Sequence, residues 1–350
     1  MSSSSIRVGL IGYGYAGKTF HAPLIAATPG LELACVASSD AVKVHTDWSQ
    51  VDVADHAAAL IARDDIDLVV IASPNDTHAS LAKDALRAGK HAVVDKPFAL
   101  DLDEARSVIA LARENDRLLS VFHNRRWDSD FLGVKQAIAD GLVGRVVHFE
   151  SHIDRFRPQV RARWREGAGP GAGLWFDLGP HLIDQALQLF GLPERVLANL
   201  ARQRGGALSD DWAHVVLDYT HGLRVILHAG MLVAGGSPRF IVHGERGSLI
   251  KRDADRQEAQ LKAGVAPGTQ EWGVDPDAMQ FCDGDADPRT VAAPRGDQRQ
   301  YYVGIERALR GLGANPVSAQ EALAVMHVLD TARRSADEGR SLALTPLTSS

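Results

Sequence analysis

Cysteine is scarce in this chain, and its scarcity limits how the fold can be held together. The 350 residues include two cysteines, Cys35 and Cys282. At most one disulfide could form, which excludes the disulfide-rich scaffold of a small secreted protein. Cys35 lies in an apolar stretch, where a cysteine is most simply a small core residue. We therefore expect a protein of a reducing compartment.

Long apolar runs and an excess of positive charge are also missing. No stretch approaches the roughly 20 apolar residues of a transmembrane helix, and residues 1–5 lack the apolar run of a signal peptide. The formal net charge is −6, which has the wrong sign for nonspecific binding of nucleic acid. We expect a cytoplasmic protein with neither a membrane nor a nucleic acid among its partners.

What the sequence does contain is a glycine-rich turn near its start. The apolar segment Ile6–Ile11 runs into a G-x-G-x-x-G spacing. Its first glycine allows a tight turn, its second lets the main chain approach a pyrophosphate, and its third lets the next helix pack closely. The N-terminus of that helix, at about residues 16–27, favours phosphate. The sequence therefore predicts a dinucleotide site at Gly12, Tyr13, Gly14, Tyr15, Ala16 and Gly17.

Apolar strands and helical stretches alternate through the first 125 residues, a pattern typical of a doubly wound parallel sheet. The predicted strands are residues 6–11, 31–37, 68–72, 91–94 and 118–122. Longer strands with short turns follow, at about residues 146–154, 212–219, 223–233 and 239–243, and predict antiparallel pairing. The length suits two domains, which we place at residues 1–125 and 126–350. Residues 253–298, rich in Gly, Pro and Asp, are expected to form surface excursions.

The end of the second predicted strand bears on the choice between NAD and NADP. A carboxylate there would bind the ribose diol and repel a 2′-phosphate. The chain instead has Ser38 and Ser39, with Asp40 next and Lys43 one turn later. Hydroxyls and an ammonium suit a 2′-phosphate, so the sequence favours NADP. NAD stays possible because Asp40 is one residue away, and the same residues could simply cap the next helix.

Two more loops follow predicted strands, where the carboxyl edge of a parallel sheet binds ligands. The loop at residues 73–78 contains Ser73, Pro74, Asn75 and His78. Taken alone, it could be no more than a helix cap. The next loop places Lys96 between Asp95 and Pro97. This lysine could polarise a hydroxyl or carbonyl beside the nicotinamide, although an isolated lysine is usually a solvated charge.

A third cluster spans residues 171–181. Asp177 and His181 are spaced to share one helix face, and Pro180 places Asp177 near the start of that helix. A carboxylate beside an imidazole is the arrangement of a general base. An acid favoured by the helix dipole beside a solvated histidine is the alternative. Upstream, five arginines lie between residues 155 and 165, next to Trp164. Because the net charge of the chain is negative, a cofactor-facing or interface loop is favoured over nucleic-acid binding.

Together these motifs resemble those of the Gfo/Idh/MocA family of oxidoreductases, and the resemblance covers essentially the whole chain. It rests on the glycine turn, Pro74-Asn75 with His78, Asp95-Lys96-Pro97, and residues 171–181. The family usually has glutamate where this chain has Asp95, and glycine where it has Ala172. Residues 119–128 and 155–165 resemble the branch that contains the NADP-dependent scyllo-inositol dehydrogenases.

The resemblance implies a Rossmann domain followed by an α/β domain with an open, mostly antiparallel sheet, which binds the substrate and forms dimers or tetramers. It implies Lys96, Asp177 and His181 as the catalytic set and names no metal. It further implies cofactor contacts from Ser38, Ser39, Lys43, Ser73, Pro74, Asn75, His78, Asp95, Lys96, Asn124, Trp164 and Arg165.

The activity that the resemblance implies is hydride transfer between NADP, or NAD, and a cyclic polyol or sugar such as scyllo-inositol. A dehydrogenase of aldoses or other sugars is the alternative within the family. A regulatory protein that senses the dinucleotide without turnover is the alternative outside the enzyme class.

Overall fold

The computed structural model describes residues 4–285, 287–345 and 347. These residues divide into two compact units. The first comprises the chain up to Asn124 together with Gln257–Trp272 and Asp297–Leu323, and the second comprises the remainder. A single division at residue 125 therefore leaves out two later segments that belong to the first unit.

The strands and helices that open the first unit alternate along the chain. Its strands are β1 Ile6–Ile11, β2 Leu31–Ala37, β3 Asp52–Ala54, β4 Leu68–Ile71, β5 His91–Val94 and β6 Leu119–Val121. Its helices are α1 Ala22–Ala26, α2 Ala41–Asp47, α3 Ala57–Ile61, α4 His78–Arg87 and α5 Leu102–Glu114. Asp101 caps α5 by accepting the Glu104 N–H at 2.8 Å.

These strands form a parallel sheet in the order β3-β2-β1-β4-β5-β6. The predicted doubly wound sheet is thus confirmed. The chain reverses direction across the sheet between β1 and β4, and Ile11 pairs with Ile71 at their carboxyl ends. Ligands of such sheets bind at this switch point. Residues 68–71 are completely buried, because helices cover both faces of a parallel sheet.

The second unit begins with α6 Ser129–Ala139 and α7 Leu174–Phe190 and is built on a larger sheet. Its strands are β7 Val146–Asp154, β8 Arg195–Ala201, β9 Trp212–Asp218, β10 Arg224–Gly230, β11 Phe240–Gly244, β12 Gly247–Lys251, β13 Met279–Cys282, β14 Arg289–Val291 and β15 Leu342–Ala343. Within the described residues the order is β14-β13-β12-β11-β7-β10-β9-β8-β15. The β7–β10 pair is parallel and the others are antiparallel, which confirms the mostly antiparallel sheet.

The two faces of β10 differ in burial. Val225, Leu227 and Ala229 are fully buried on the side of the sheet against which α7 packs. Ile226 and His228 point to the other side and are half-buried. The second face therefore combines polar and apolar groups.

The stretch at residues 253–298 is not simply a set of surface excursions, so that prediction is wrong. It contains the helix α8 Gln257–Lys262 and the strands β13 and β14, and Trp272 and Phe281 are buried. Frequent Gly, Pro and Asp residues hide these short elements in the sequence. The chain continues through α9 Arg299–Leu309 and α10 Ala319–Glu338. Among the described residues, no helix is both long and apolar enough to cross a bilayer.

Candidate active site

The glycine turn after β1 has the geometry that its sequence predicts. Gly12 has φ +96°, and a Cβ added there would lie 2.7 Å from the Ala72 carbonyl oxygen. A Cβ at Gly17 would lie 2.0 Å from the Gly12 oxygen, whereas one at Gly14 would meet nothing within 4 Å. The first and third glycines thus close the turn, and the second leaves the open space that a pyrophosphate needs. The following helix is a π-helical turn, Gly17–His21, which leads into α1.

The end of β2 orders its polar groups around the same turn. Asp40 Oδ1 accepts the Lys43 N–H at 2.9 Å and caps α2, and the Asp40 N–H donates to Ser38 Oγ at 3.1 Å. Lys43 Nζ donates to the Tyr13 carbonyl at 2.8 Å. The Asp40 carboxylate is thus engaged in capping, while the Lys43 ammonium lies against the glycine turn. The capping role and a 2′-phosphate site are compatible.

Two residues that the sequence did not single out hold this turn. Asp47 Oδ2 accepts the Tyr13 hydroxyl at 2.8 Å and pairs with Lys18 at 2.7 Å. Glu258, on α8, accepts the half-exposed Tyr15 hydroxyl. Glu258 is distant in sequence, so only the folded chain reveals this contact.

His78 ties together the loops that follow β4 and β5. Its Nδ1 lies 2.8 Å from the Pro97 carbonyl oxygen and its Nε2 lies 3.0 Å from the Ser73 carbonyl oxygen. The ring is buried, and burial lowers the pKa of His78. His78 thus bridges the two loops through its ring nitrogens. Asn75 of the first loop and Asn124, after β6, are also buried.

Asp95 fixes the backbone of Lys96. Its Oδ1 accepts the Lys96 N–H at 2.8 Å and lies 3.9 Å from His21 Nε2. Burial alone would raise the pKa of Asp95, but His21 and Lys96 lower it to about 2. His21 Nδ1 in turn lies 2.6 Å from the Tyr302 hydroxyl oxygen. The shortened acid therefore remains a carboxylate beside Lys96, whose peptide bond to Pro97 is cis.

In the second unit, α7 begins at a glycine that admits no side chain. Gly173 has φ +109°, and an added Cβ would lie 2.2 Å from Asp210 Oδ1. Asp210 Oδ2 accepts the Trp175 N–H at 2.7 Å and so caps the helix. Burial raises the pKa of Asp210. Sequence reasoning missed this cap, because Asp210 lies 35 residues beyond Trp175.

Asp177 occupies the first turn of α7, as predicted, and His181 follows one turn later on the same face. Pro180 lies farther into the helix than expected, in its second turn. Arg165 Nε is 3.6 Å from Asp177 Oδ1, and its guanidinium stacks on Trp164 at 4.7 Å from the ring centroid. The structure thus brings Arg165, with Trp164 stacked on it, to the acid of the predicted acid–histidine pair.

Arg163, one of the arginines upstream of α7, is paired inside the second unit. Glu166, which is buried, lies 2.6 Å from Arg163 Nε and 3.0 Å from Arg204 Nη2. Arg204 also pairs with Asp211 at 2.9 Å. Arg163 of the arginine run is therefore part of an internal charge network. Glu166 and Asp211 gave no sequence signal, because acids at such spacings are common on surfaces.

Two family models together match most of the chain. The first, described as the NAD-binding Rossmann fold of the GFO_IDH_MocA oxidoreductase family, matches residues 6–123. The second, described as the C-terminal alpha/beta domain of the same family, matches residues 135–344.

Individual proteins match over nearly their whole length. The chain is 52% identical over 345 residues to the uncharacterized oxidoreductase YdgJ of Escherichia coli K12, covering 98% of this chain and 99% of that one. It is 35% identical over 345 residues to the scyllo-inositol 2-dehydrogenase (NADP(+)) IolW of Bacillus subtilis, covering 97% and 96%. A crystal structure of a Klebsiella pneumoniae protein named as an oxidoreductase superposes with a TM-score of 0.92 at 58% identity, covering 99% and 96%.

Proposed function

Because the chain belongs to the Gfo/Idh/MocA oxidoreductase family, we propose that it is an NADP-dependent dehydrogenase of a cyclic polyol or sugar. The observation that carries this proposal is the capped start of α7, which presents Asp177 and His181 one turn apart. The NADP(+)-dependent relative IolW acts on scyllo-inositol, which is therefore the first substrate to try.

The preference for NADP rests on the end of β2. Ser38 and Ser39 stand where an NAD enzyme would place a carboxylate, and Asp40 is committed to capping α2. The Lys43 ammonium lies beside the glycine turn, where it would attract a 2′-phosphate. Once bound, NADP would supply the nicotinamide carbon that accepts the hydride.

The chain's own groups would handle the proton and the charge on oxygen. His181 removes the hydroxyl proton of the substrate as hydride leaves the same carbon. Asp177 orients the His181 ring and stabilises the charge that it gains. Lys96, whose backbone is held by Asp95, stabilises the developing alkoxide. In reverse, His181 protonates the reduced ketone.

A substrate panel read at 340 nm tests the proposal. Inositols, aldoses, acyclic hydroxy acids and simple alcohols would be compared under identical conditions with NADP and with NAD, and inososes with NADPH and with NADH. We expect the highest kcat/KM with a cyclic polyol or pyranose and NADP. Activity confined to hydroxy acids or simple alcohols would contradict the substrate class. Tight dinucleotide binding without turnover of any substrate would indicate the sensing protein instead.

The mixed polar and apolar face of the second unit's sheet is also proposed to form the contact of a homodimer or homotetramer. Light scattering coupled to size-exclusion chromatography would measure the mass in solution. A mass equal to the 37.7 kDa chain would contradict this part of the proposal.

A further inference from the structure

Histidines and acids gather on the face of the second sheet that points away from α7. Register pairs His228 of β10 with His152 of β7 on one side and with His214 of β9 on the other. Asp154 of β7 pairs with Gly230 of β10. Because alternate residues of a strand share a face, three imidazoles form a row beside one carboxylate. This cluster shares no residue with the proposed dehydrogenase site.

The Asp154 carboxylate lies between two imidazoles at distances that suit a shared metal ion. Its Oδ2 is 3.7 Å from His152 Nδ1, and its Oδ1 is 3.5 Å from His228 Nε2. Both distances exceed a hydrogen bond. Two ligands bound tetrahedrally to one zinc ion, each ~2.1 Å from it, are about 3.4 Å apart. The three residues can offer ligand atoms that lie within 4.8 Å of one another.

Glu150 orients the His152 ring for this role. Its Oε2 lies 2.7 Å from His152 Nε2, so the proton on Nε2 is directed to Glu150 and the lone pair on Nδ1 faces Asp154. The other carboxylate oxygen of Glu150 lies 2.7 Å from His148 Nε2. A carboxylate that holds a metal-binding histidine in this way is a recurrent feature of zinc sites.

The buried polar atoms at the centre of the cluster lack hydrogen-bond partners. Among the described residues, neither Asp154 oxygen nor His152 Nδ1 has a hydrogen-bond partner, although these atoms are buried. A Cβ added at Gly230 would lie 3.4 Å from Asp154 Oδ1 and 3.5 Å from His228 Nε2. The same Cβ would lie 2.9 Å from Val233 Cγ2, so a side chain at Gly230 would crowd the Asp154–His228 pair.

We propose that His152 Nδ1, the Asp154 carboxylate and His228 Nε2 bind one divalent transition-metal ion of the zinc class. Two nitrogen ligands and one oxygen ligand favour Zn²⁺ over Mg²⁺ or Ca²⁺, which prefer oxygen. The His152 and His228 side chains are each 14% exposed in the single chain, so an ion can reach them there and a water molecule can be its fourth ligand. Strand register alone creates the site, because His228 is far from His152 in sequence.

Metal binding to the full-length protein tests this directly, without an activity assay. Chelator-treated protein would be titrated with Zn²⁺ by calorimetry and in competition with a chromophoric chelator. Co²⁺ would report the ligand geometry through its visible absorption. We expect one Zn²⁺ per chain, which millimolar Mg²⁺ does not displace, and the intense Co²⁺ bands of a four-coordinate site.

Asp154→Asn and His228→Gln should each weaken Zn²⁺ binding by at least about 100-fold, and Glu150→Gln by roughly 10- to 100-fold. His243→Gln is the matched control, because His243 lies in the same sheet but its Nδ1 already pairs with Ser248 Oγ at 2.7 Å. It should bind like wild type. Circular dichroism would check that each variant is folded.

Two results would overturn the proposal. One is wild-type protein that binds no stoichiometric Zn²⁺, which would mean that a proton on His152 satisfies the carboxylates instead. The other is binding that folded Asp154→Asn and His228→Gln proteins retain at full strength, which would locate the ion elsewhere.

Discussion

The two units of the molecule build their sheets differently, and the difference decides what each contributes. In the first unit, parallel strands end at one edge, so the glycine turn and the loops after β4 and β5 meet at the switch point between β1 and β4. In the second, a mostly antiparallel sheet supports one long helix, and the polar groups lie at the start of that helix. The first architecture suits a dinucleotide, and the second suits a fixed acid–histidine pair.

This comparison predicts that changes in α7 impair chemistry and changes around the glycine turn impair cofactor binding. His181→Ala provides the largest expected effect. Loss of the general base should lower kcat by about 10²- to 10⁴-fold and leave the Kd for NADPH nearly unchanged. Steady-state kinetics and calorimetry would measure the two quantities. His243→Ala is the control, and a kcat that survives His181→Ala would show that the base lies elsewhere.

Lys96 is the expected exception to this division. It belongs to the first unit, but we assign it to the hydride-transfer chemistry and not to cofactor binding. Removing a donor that stabilises the transition state typically costs about 3–4 kcal/mol. We therefore expect Lys96→Ala to lower kcat and kcat/KM together by roughly 10²- to 10³-fold. Lys96→Arg should not rescue fully, since a planar fork cannot replace a compact ammonium.

Lys43→Ala is the matched variant for Lys96, because the Lys43 ammonium lies against the Tyr13 carbonyl. It should raise the Kd for NADPH and leave the rate of hydride transfer at saturation unchanged. Calorimetry with NADPH and pre-steady-state measurement of hydride transfer separate the two lysines. If Lys96→Ala binds cofactor poorly but transfers hydride at the wild-type rate when saturated, our assignment of Lys96 is wrong.

The two units also differ in how well the sequence predicts them. The bounds of β1, β2 and β5 match their predictions because each is an apolar run next to Gly, Ser or Asp. The strand β8 Arg195–Ala201 was missed, because polar and apolar residues do not alternate strictly in its sequence, although its burial does alternate at the start. Asp210, which caps α7, and His228, which faces His152, depend on strand pairing between distant segments. Local sequence patterns therefore predicted the first unit well. Contacts between distant segments, which depend on how the strands pair, could be found only in the structure.

Gly173→Ala tests how far the second unit depends on the exact start of α7. The new Cβ would meet Asp210 Oδ1 at a backbone φ of +109°, and such strain costs on the order of 1–3 kcal/mol. Thermal unfolding should show a lower Tm. Gly169→Ala is the control in the same loop, because its Cβ would meet nothing within 4 Å. Equal Tm values for the two variants would contradict the close contact between Gly173 and Asp210 at the start of α7.

Ser38→Asp should have the smallest effect, and it should be confined to the first unit. A carboxylate at this position would repel a 2′-phosphate and accept hydrogen bonds from a ribose diol. It could also keep accepting the Asp40 N–H that Ser38 Oγ accepts now. We expect the ratio of kcat/KM with NADP to that with NAD to fall by about tenfold or more, equivalent to ~1.4 kcal/mol, while kcat at saturating NAD stays near wild type.

Ser49→Asp adds the same charge at an exposed position just after α2 and should leave the ratio unchanged. A wild-type preference for NAD would mean that Asp40 binds the ribose despite its capping bond, and that the end of β2 has been misassigned.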